Sequence, residues 1–290
     1  DGLTRKDGMA ERFAGKVVWI TGGGSGIGEA LALAFAREGA DVAVSGRRRE
    51  KLDGVAEAIR ALGRRSIAVT CDVTDDTTLT TAVERIVSEL GRLDVAVANA
   101  GFSVSGRVMR QTFEDWRRQF DTNVIGAAMT IRSAMPELIK CGGRAVLIGS
   151  VASMFTYPAG GPYCASKAAL RAIGQALALE LVGTGVSCTT IHPGFVQSEI
   201  AQVDNHGHFD GTRPDPRPAK LMWTGERAAR VMIKAIYRRK REFVFTAHGI
   251  VATWIGRHLP GLAFRLASTG LAAKNAERLS KVRTPKPPSA

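Results

Sequence analysis

Residues Thr21-Gly22-Gly23-Gly24-Ser25-Gly26-Ile27-Gly28 place five glycines in eight positions. They directly follow the apolar run Val17-Val18-Trp19-Ile20 and open a helical pattern over residues 27–38. Without a Cβ, the chain can turn tightly there and bring its backbone close to an anion. The helix that follows offers unpaired N–H groups and a partial positive charge at its start. A glycine string by itself could be an ordinary loop. Between a buried strand and a helix it reads as a pyrophosphate cradle.

The rest of the chain repeats the strand–helix unit. Residues 41–45, 66–70, 93–98, 144–148 and 186–191 read as strands, with 243–245 as a last short one. Helical patterns cover residues 50–62, 75–90 and 163–181. This alternation implies parallel strands, right-handed crossovers and helices on both faces. The expected fold class is therefore α/β, a doubly wound parallel sheet (Rossmann-like) in a single domain with an amphipathic C-terminal extension. The expected boundaries are a flexible segment at 1–11, the main domain at 12–246, an apolar extension at 247–281 and a flexible tail at 282–290. Residues 204–220, polar and rich in Pro, Gly and His, read as a mobile loop near the site.

The formal charge of +13 and the isoelectric point near 10.1 raise the question of a polyanionic partner. The basic residues cluster only at 47–49, 64–65 and 238–241, and aromatic residues make up 6%. No specific nucleic-acid role is expected, because charge alone gives non-specific binding. The four cysteines have no paired spacing, and no Cys/His cluster has metal-ligand spacing. With no charged-then-apolar leader in the sequence, the expected location is cytoplasmic.

Tyr163 and Lys167 lie four apart and share one helix face. A free tyrosine, with a pKa near 10, is a poor base at neutral pH. A neighbouring ammonium or a positive nicotinamide ring would favour its phenolate. Alone, such a pair arises by chance. Ser150 lies 13 residues before Tyr163 at a strand end, and Asn123 lies within a helical stretch that disfavours it.

From about residue 12 to 246 the chain resembles the short-chain dehydrogenases/reductases, in their compact Tyr-x-x-x-Lys branch. The resemblance rests on the T-G-x-x-x-G-x-G loop, Cys71-Asp72-Val73, Asn99-Ala100-Gly101, Ser150, Tyr163 to Lys167 and His192-Pro193-Gly194. Ala98 replaces the first Asn of the family's N-N-A-G. The resemblance implies a catalytic set of Asn123, Ser150, Tyr163 and Lys167. Ser150 would hold the substrate oxygen, Lys167 would contact the ribose, and Asn123 would support a water chain to Lys167. It also implies a cofactor site of Gly22, Ser25, Gly26, Ile27, Gly28, Asp72, Val73, Asn99, Ala100 and Gly101. Tyr163, Lys167, Pro193, Gly194, Val196 and Ser198 would complete that site. His192 is expected to be structural.

Gly46 stands where NAD-preferring relatives carry Asp, and Arg47 follows it. A guanidinium there can pair with a 2′-phosphate, so NADP(H) is favoured over NAD(H). The expected activity is hydride transfer between the nicotinamide and a carbonyl or secondary alcohol. The alternative is a non-catalytic nucleotide-binding regulatory or scaffold protein on the same fold. Family members usually pair through the helices that carry Asn123 and Tyr163, implying a homodimer or homotetramer.

The apolar stretches of residues 246–270 are interrupted by Arg257, His258 and Arg265 and fall short of the roughly 18 residues of a membrane span. This extension could pack over the pocket, pack on another subunit, or make peripheral contact with an anionic membrane. Similar tails in family members acting on lipids or steroids suggest a lipophilic substrate.

Overall fold

The computed structural model describes residues 11–205 and 208–269. Strands β1 (Val17–Thr21), β2 (Asp41–Gly46) and β3 (Ser66–Thr70) alternate with helices α1 (Gly26–Arg37), α2 (Arg49–Ala61) and α3 (Asp76–Leu90). Then follow β4 (Val95–Ala98), α4 (Phe113–Phe120), a π-helical turn at Asp121–Gly126 and α5 (Ala127–Cys141). The second half holds β5 (Arg144–Ile148), α6 (Gly161–Glu180), β6 (Ser187–His192), α7 (Gly225–Tyr237) and β7 (Glu242–Val244). Two further helices, α8 (Ala247–His258) and α9 (Pro260–Ser268), complete the described chain.

The strands form one sheet in the order β3-β2-β1-β4-β5-β6-β7, and every neighbouring pair is parallel. Strand order reverses between β1 and β4, so the crevice for a ligand lies outside their carboxyl ends. Strand β1 is buried on both faces, which explains its unbroken apolar sequence. Val18 and Ile20 enter one core with Phe35 of α1, Leu52 of α2 and Met232 of α7. Val17 and Trp19 enter the other with Ile86 of α3, Leu138 of α5 and Leu170 of α6. Each such side chain, fully buried, contributes roughly 1.5–3 kcal/mol. The Trp19 indole N–H donates to Ser45 Oγ at 2.9 Å, so its polar tip is satisfied inside the core.

Local chemistry sets the helix ends. Asp75 caps α3 by accepting from the Thr77 amide, and Gly91 ends it in the left-handed region. Thr112 and Asp115 form a reciprocal capping box on α4. Helices α4, α5 and α7 were not drawn from the periodicity. In α4, Phe113-Glu114-Asp115-Trp116-Arg117-Arg118-Gln119-Phe120 is mostly polar, and its only buried residues are Asp115 and Gln119.

Within the expected loop at 204–220, the Asp204 amide donates to the His208 carbonyl, the Asp210 amide to the Gln202 carbonyl, and Arg217 donates to the carbonyls of Val196 and Ser198. Of the C-terminal extension, helix α8 seats on the turn after β5, where a Cβ at Gly256 would lie 2.0 Å from the Met154 carbonyl oxygen. Residues 1–10 of the expected N-terminal segment, residues 270–281 of the extension and the 282–290 tail lie outside the described residues.

Candidate active site

The glycine loop is pinned from two sides. At Gly22, with φ +64°, a Cβ would stand 2.9 Å from Ala100 Cα; at Gly28 it would stand 2.2 Å from the Gly22 carbonyl oxygen. Asn99 does the pinning from β4: its Nδ2 donates to the carbonyls of Thr21 and Gly22, at 3.0 and 3.1 Å. The amides of Asn99 and Ala100 donate to Thr21 Oγ1. On the other side, Gly26 packs against Ser198. Ser25, the extended N-cap residue of α1, uses no side-chain cap and leaves the helix's first amides facing the crevice.

At the end of β2, Arg47 is exposed on the rim of the cleft. Its neighbour Arg48 donates to Ser25 Oγ at 2.9 Å and to Glu199 Oε2 at 2.5 Å. Burial would raise the Glu199 carboxyl, but Arg48 and Ser25 hold it below the ordinary range. Neither Arg48 nor Glu199 was singled out in the sequence. They lie 151 residues apart, and no local pattern announces their meeting. Asp72 and Val73 line the adjoining wall, with Asp72 Oδ1 accepting from the Thr74 amide and hydroxyl.

Ser150, Tyr163, Lys167 and Asn123 come together at the carboxyl ends of β4 and β5. Ser150 Oγ accepts from the Ala152 amide at 3.1 Å, and its hydroxyl pulls against the burial-raised Tyr163 pKa. Lys167 is buried; its Nζ donates to the Ile148 carbonyl at 2.8 Å and stands 5.9 Å from the Tyr163 ring centroid. Asn123 sits in the π-helical turn, fully buried. Its Oδ1 accepts from the Phe102 amide, and its Nδ2 donates to the Phe102 carbonyl and to Ser166 Oγ. Such π-helical turns often mark functional positions.

Burial pushes the Tyr163 phenol above its ordinary range, opposed by the neighbouring Ser150 hydroxyl. Burial also draws the Lys167 ammonium down to about 8, with the Ile148 carbonyl as its hydrogen-bond acceptor.

Pro193, Gly194, Val196 and Ser198 lie along the opposite lip of the cleft. Arg217 grips that lip, donating to the carbonyls of Val196 and Ser198 at 2.9 Å while its own partner is Asp215. His192 is fully buried beneath. The glycine loop, Arg47, Asp72, Asn99, Ser150, Tyr163, Lys167 and Arg217 all border one cleft of about 790 Å³. A glycine cradle too tight for any Cβ, beside an open helix N-terminus, suits a dinucleotide.

The sequence profile of the short chain dehydrogenase family matches residues 16–208. The chain is 38% identical over 193 residues to 2,5-dichloro-2,5-cyclohexadiene-1,4-diol dehydrogenase LinX of Sphingobium indicum, across 66% of this chain and 77% of that protein. It is 34% identical over 264 residues to an uncharacterized oxidoreductase of Myxococcus xanthus, across 91% and 100%. A short chain dehydrogenase from Burkholderia cenocepacia, solved in complex with NADP, shares the fold with a TM-score of 0.73 at 30% identity, over 82% and 99% of the two chains. The chain belongs to the short-chain dehydrogenase family and is an NAD(P)-dependent oxidoreductase.

Proposed function

We propose that this protein uses NADP(H) to interconvert a carbonyl and a secondary alcohol, with Tyr163 as its general acid and base. The observation that carries the reading is that Ser150, Tyr163 and a buried Lys167 line one cleft together with the glycine loop. In the reductive direction, the proton given to the substrate oxygen leaves Tyr163 Oη. Burial keeps that phenol protonated, which suits an acid. Ser150 Oγ accepts from the Ala152 amide, which holds the hydroxyl at the cleft where it would orient the substrate oxygen. Lys167 would contact the ribose, and Asn123, holding both backbone groups of Phe102, would support the path that returns a proton to Lys167.

Gly22, Ser25, Gly26, Ile27 and Gly28 would hold the pyrophosphate, and Asp72 and Val73 the adenine. Asn99, Ala100 and Gly101 would line the ribose, while Pro193, Gly194, Val196 and Ser198 would hold the nicotinamide end. When bound, the nicotinamide supplies or accepts the hydride. The preference for NADP(H) is supported by Arg47, which stands on the rim while Arg48 is engaged by Glu199. The Burkholderia cenocepacia relative was solved with NADP. Phe102, Ile200, Val203 and Phe209 on the cleft wall support a lipophilic substrate.

The enzyme is read as a cytoplasmic homodimer or homotetramer. Exposed Ile139 on α5 and Leu179 on α6 support pairing through those helices. Among the described residues no helix is long and apolar enough to cross a membrane. Exposed Ile250, Trp254 and Phe264 on α8 and α9, near the basic 238–241 run, support contact with another subunit or with an anionic lipid surface.

Calorimetric titration with NADPH and NADH, followed by a panel of ketones and aldehydes including long-chain and steroid compounds, tests the reading. NADPH is expected to bind at least about tenfold more tightly, and Arg47→Ala to erase most of that difference. Tight NADH binding without a response to NADPH would overturn the cofactor assignment.

A further inference from the structure

Behind Ser150 lies a chain of polar contacts that the chemistry above does not use. His192, the last residue of β6, is fully buried. Its Nδ1 stands 3.1 Å from the Ser150 carbonyl oxygen and 3.0 Å from Ser153 Oγ, which itself donates to that carbonyl at 2.6 Å. On the other side of the ring, Nε2 stands 3.0 Å from Glu242 Oε1, off the line of an ideal hydrogen bond. Glu242 opens β7 and gathers two arginines. Arg171 Nε donates to Oε1 at 2.5 Å, and Arg257 Nη2 donates to Oε2 at 2.8 Å.

These cations come from different elements with different relations to the site. Arg171 is on α6, one turn beyond Lys167 and two beyond Tyr163. Arg257 is on α8, outside the cleft. The same helix seats two glycines on the turn after β5: Gly249, where a Cβ would lie 3.0 Å from Val151 Cγ2, and Gly256 against the Met154 carbonyl. Gly249 and Gly256 are seven apart, hence on one face, and buried Thr253 lies between them, about one turn from each. A helix that approaches so closely and also supplies Arg257 touches the Ser150 turn by two independent routes.

We propose that Glu242 is the hub of a positioning relay: through His192 it fixes the 150–153 turn, and through Arg171 and Arg257 it locks that turn to the helix of Tyr163 and to α8. Helix α8 thereby sets the placement of Ser150 from behind the turn. The proposal rests on the assignment of Ser150 as the residue that orients the substrate oxygen.

The test uses the full-length protein with NADPH bound and the variants Glu242→Gln, Arg257→Ala and Arg257→Lys. Hydrogen exchange of the 149–155 segment reads the turn without needing a substrate. Exchange there is expected to quicken at least about tenfold in Glu242→Gln and Arg257→Ala, with strand β1 unchanged and Arg257→Lys largely restored. Turnover of the preferred carbonyl compound is expected to fall about tenfold in kcat in the same two variants, with the Kd for NADPH within about twofold of the parent. In a Ser150→Ala background, Glu242→Gln should add almost nothing to the loss. Unchanged exchange at 149–155 in both variants overturns the relay, and so does a fully additive loss in the double variant. Full turnover by Ser150→Ala alone would instead remove the assignment on which the relay rests.

Discussion

The two ends of the sheet use charge in opposite ways. At the amino ends, Asp94 and Asp41 are buried but surrounded. Asp94 accepts from Arg92, from Lys16 and from the Val17 amide, and Asp41 accepts from Arg65 and pairs with Arg64. At the carboxyl ends, Lys167 is buried among uncharged groups with the Ile148 carbonyl as its partner, and Tyr163 is raised by burial. Burial would raise Asp94 as well, yet Arg92, Val17 and Lys16 hold it below the ordinary carboxylate range. One end spends its charges on holding strands together. The other keeps its groups in the protonation states that burial disfavours or enforces, which is the condition of a site waiting for a charged ligand.

The contrast can be broken at its active end first. Tyr163→Phe should lower turnover by about 10²–10⁴-fold while NADPH binding, followed by calorimetry, stays near that of the parent. Near-normal turnover would remove Tyr163 from its role and leave the carboxyl end without an acid.

At the opposite end, Asp94→Ala should cost about 2–4 kcal/mol in chemical unfolding, because it orphans the buried Val17 amide and two cations. The turnover of the folded fraction should not change. Since the Asp94 carboxyl is held below its unfolded value, its stabilisation is present above about pH 4 and is lost as the pH falls through the lower folded value. The difference in unfolding free energy between parent and variant should therefore shrink in acid. A difference independent of pH would sink this account.

The smallest effect is the most discriminating. Keeping Lys167 charged inside the protein costs roughly 3 kcal/mol, from a pKa drawn to about 8. Lys167→Met removes that cost but leaves the Ile148 carbonyl without its partner, so stability at neutral pH should move by no more than about 1 kcal/mol. Activity should nevertheless collapse. A large loss of stability would show Lys167 to be a structural clamp of the Asp94 kind.

Much of this could be read in order along the chain. The glycine string, the strand–helix repeat, and the Ser150, Tyr163 and Lys167 spacings are local, and the sheet that forms carries them to one crevice. Helix α4 escaped because its buried positions, Asp115 and Gln119, are polar and leave no apolar stripe, whereas α7 escaped although Ala228, Ala229, Met232, Ile233 and Ile236 form one. The reach of Arg217 to Val196, the Arg48–Glu199 pair and the Glu242 cluster are contacts between residues 15 to 151 positions apart. No residue in those segments signals a partner so far away.

The sequence alone thus determined the parallel α/β sheet, the glycine cradle and the spacing of Tyr163 and Lys167, because each follows from periodicity or from backbone freedom over a few residues. Only the tertiary structure decided the rest. It enclosed the Tyr163 phenol and so raised it, turned Lys167 toward the Ile148 carbonyl, drew Arg217 onto the Val196–Ser198 lip, and seated α8 behind Ser150. Burial and charge pairing depend on which segments meet, and that is settled when the sheet closes its two cores.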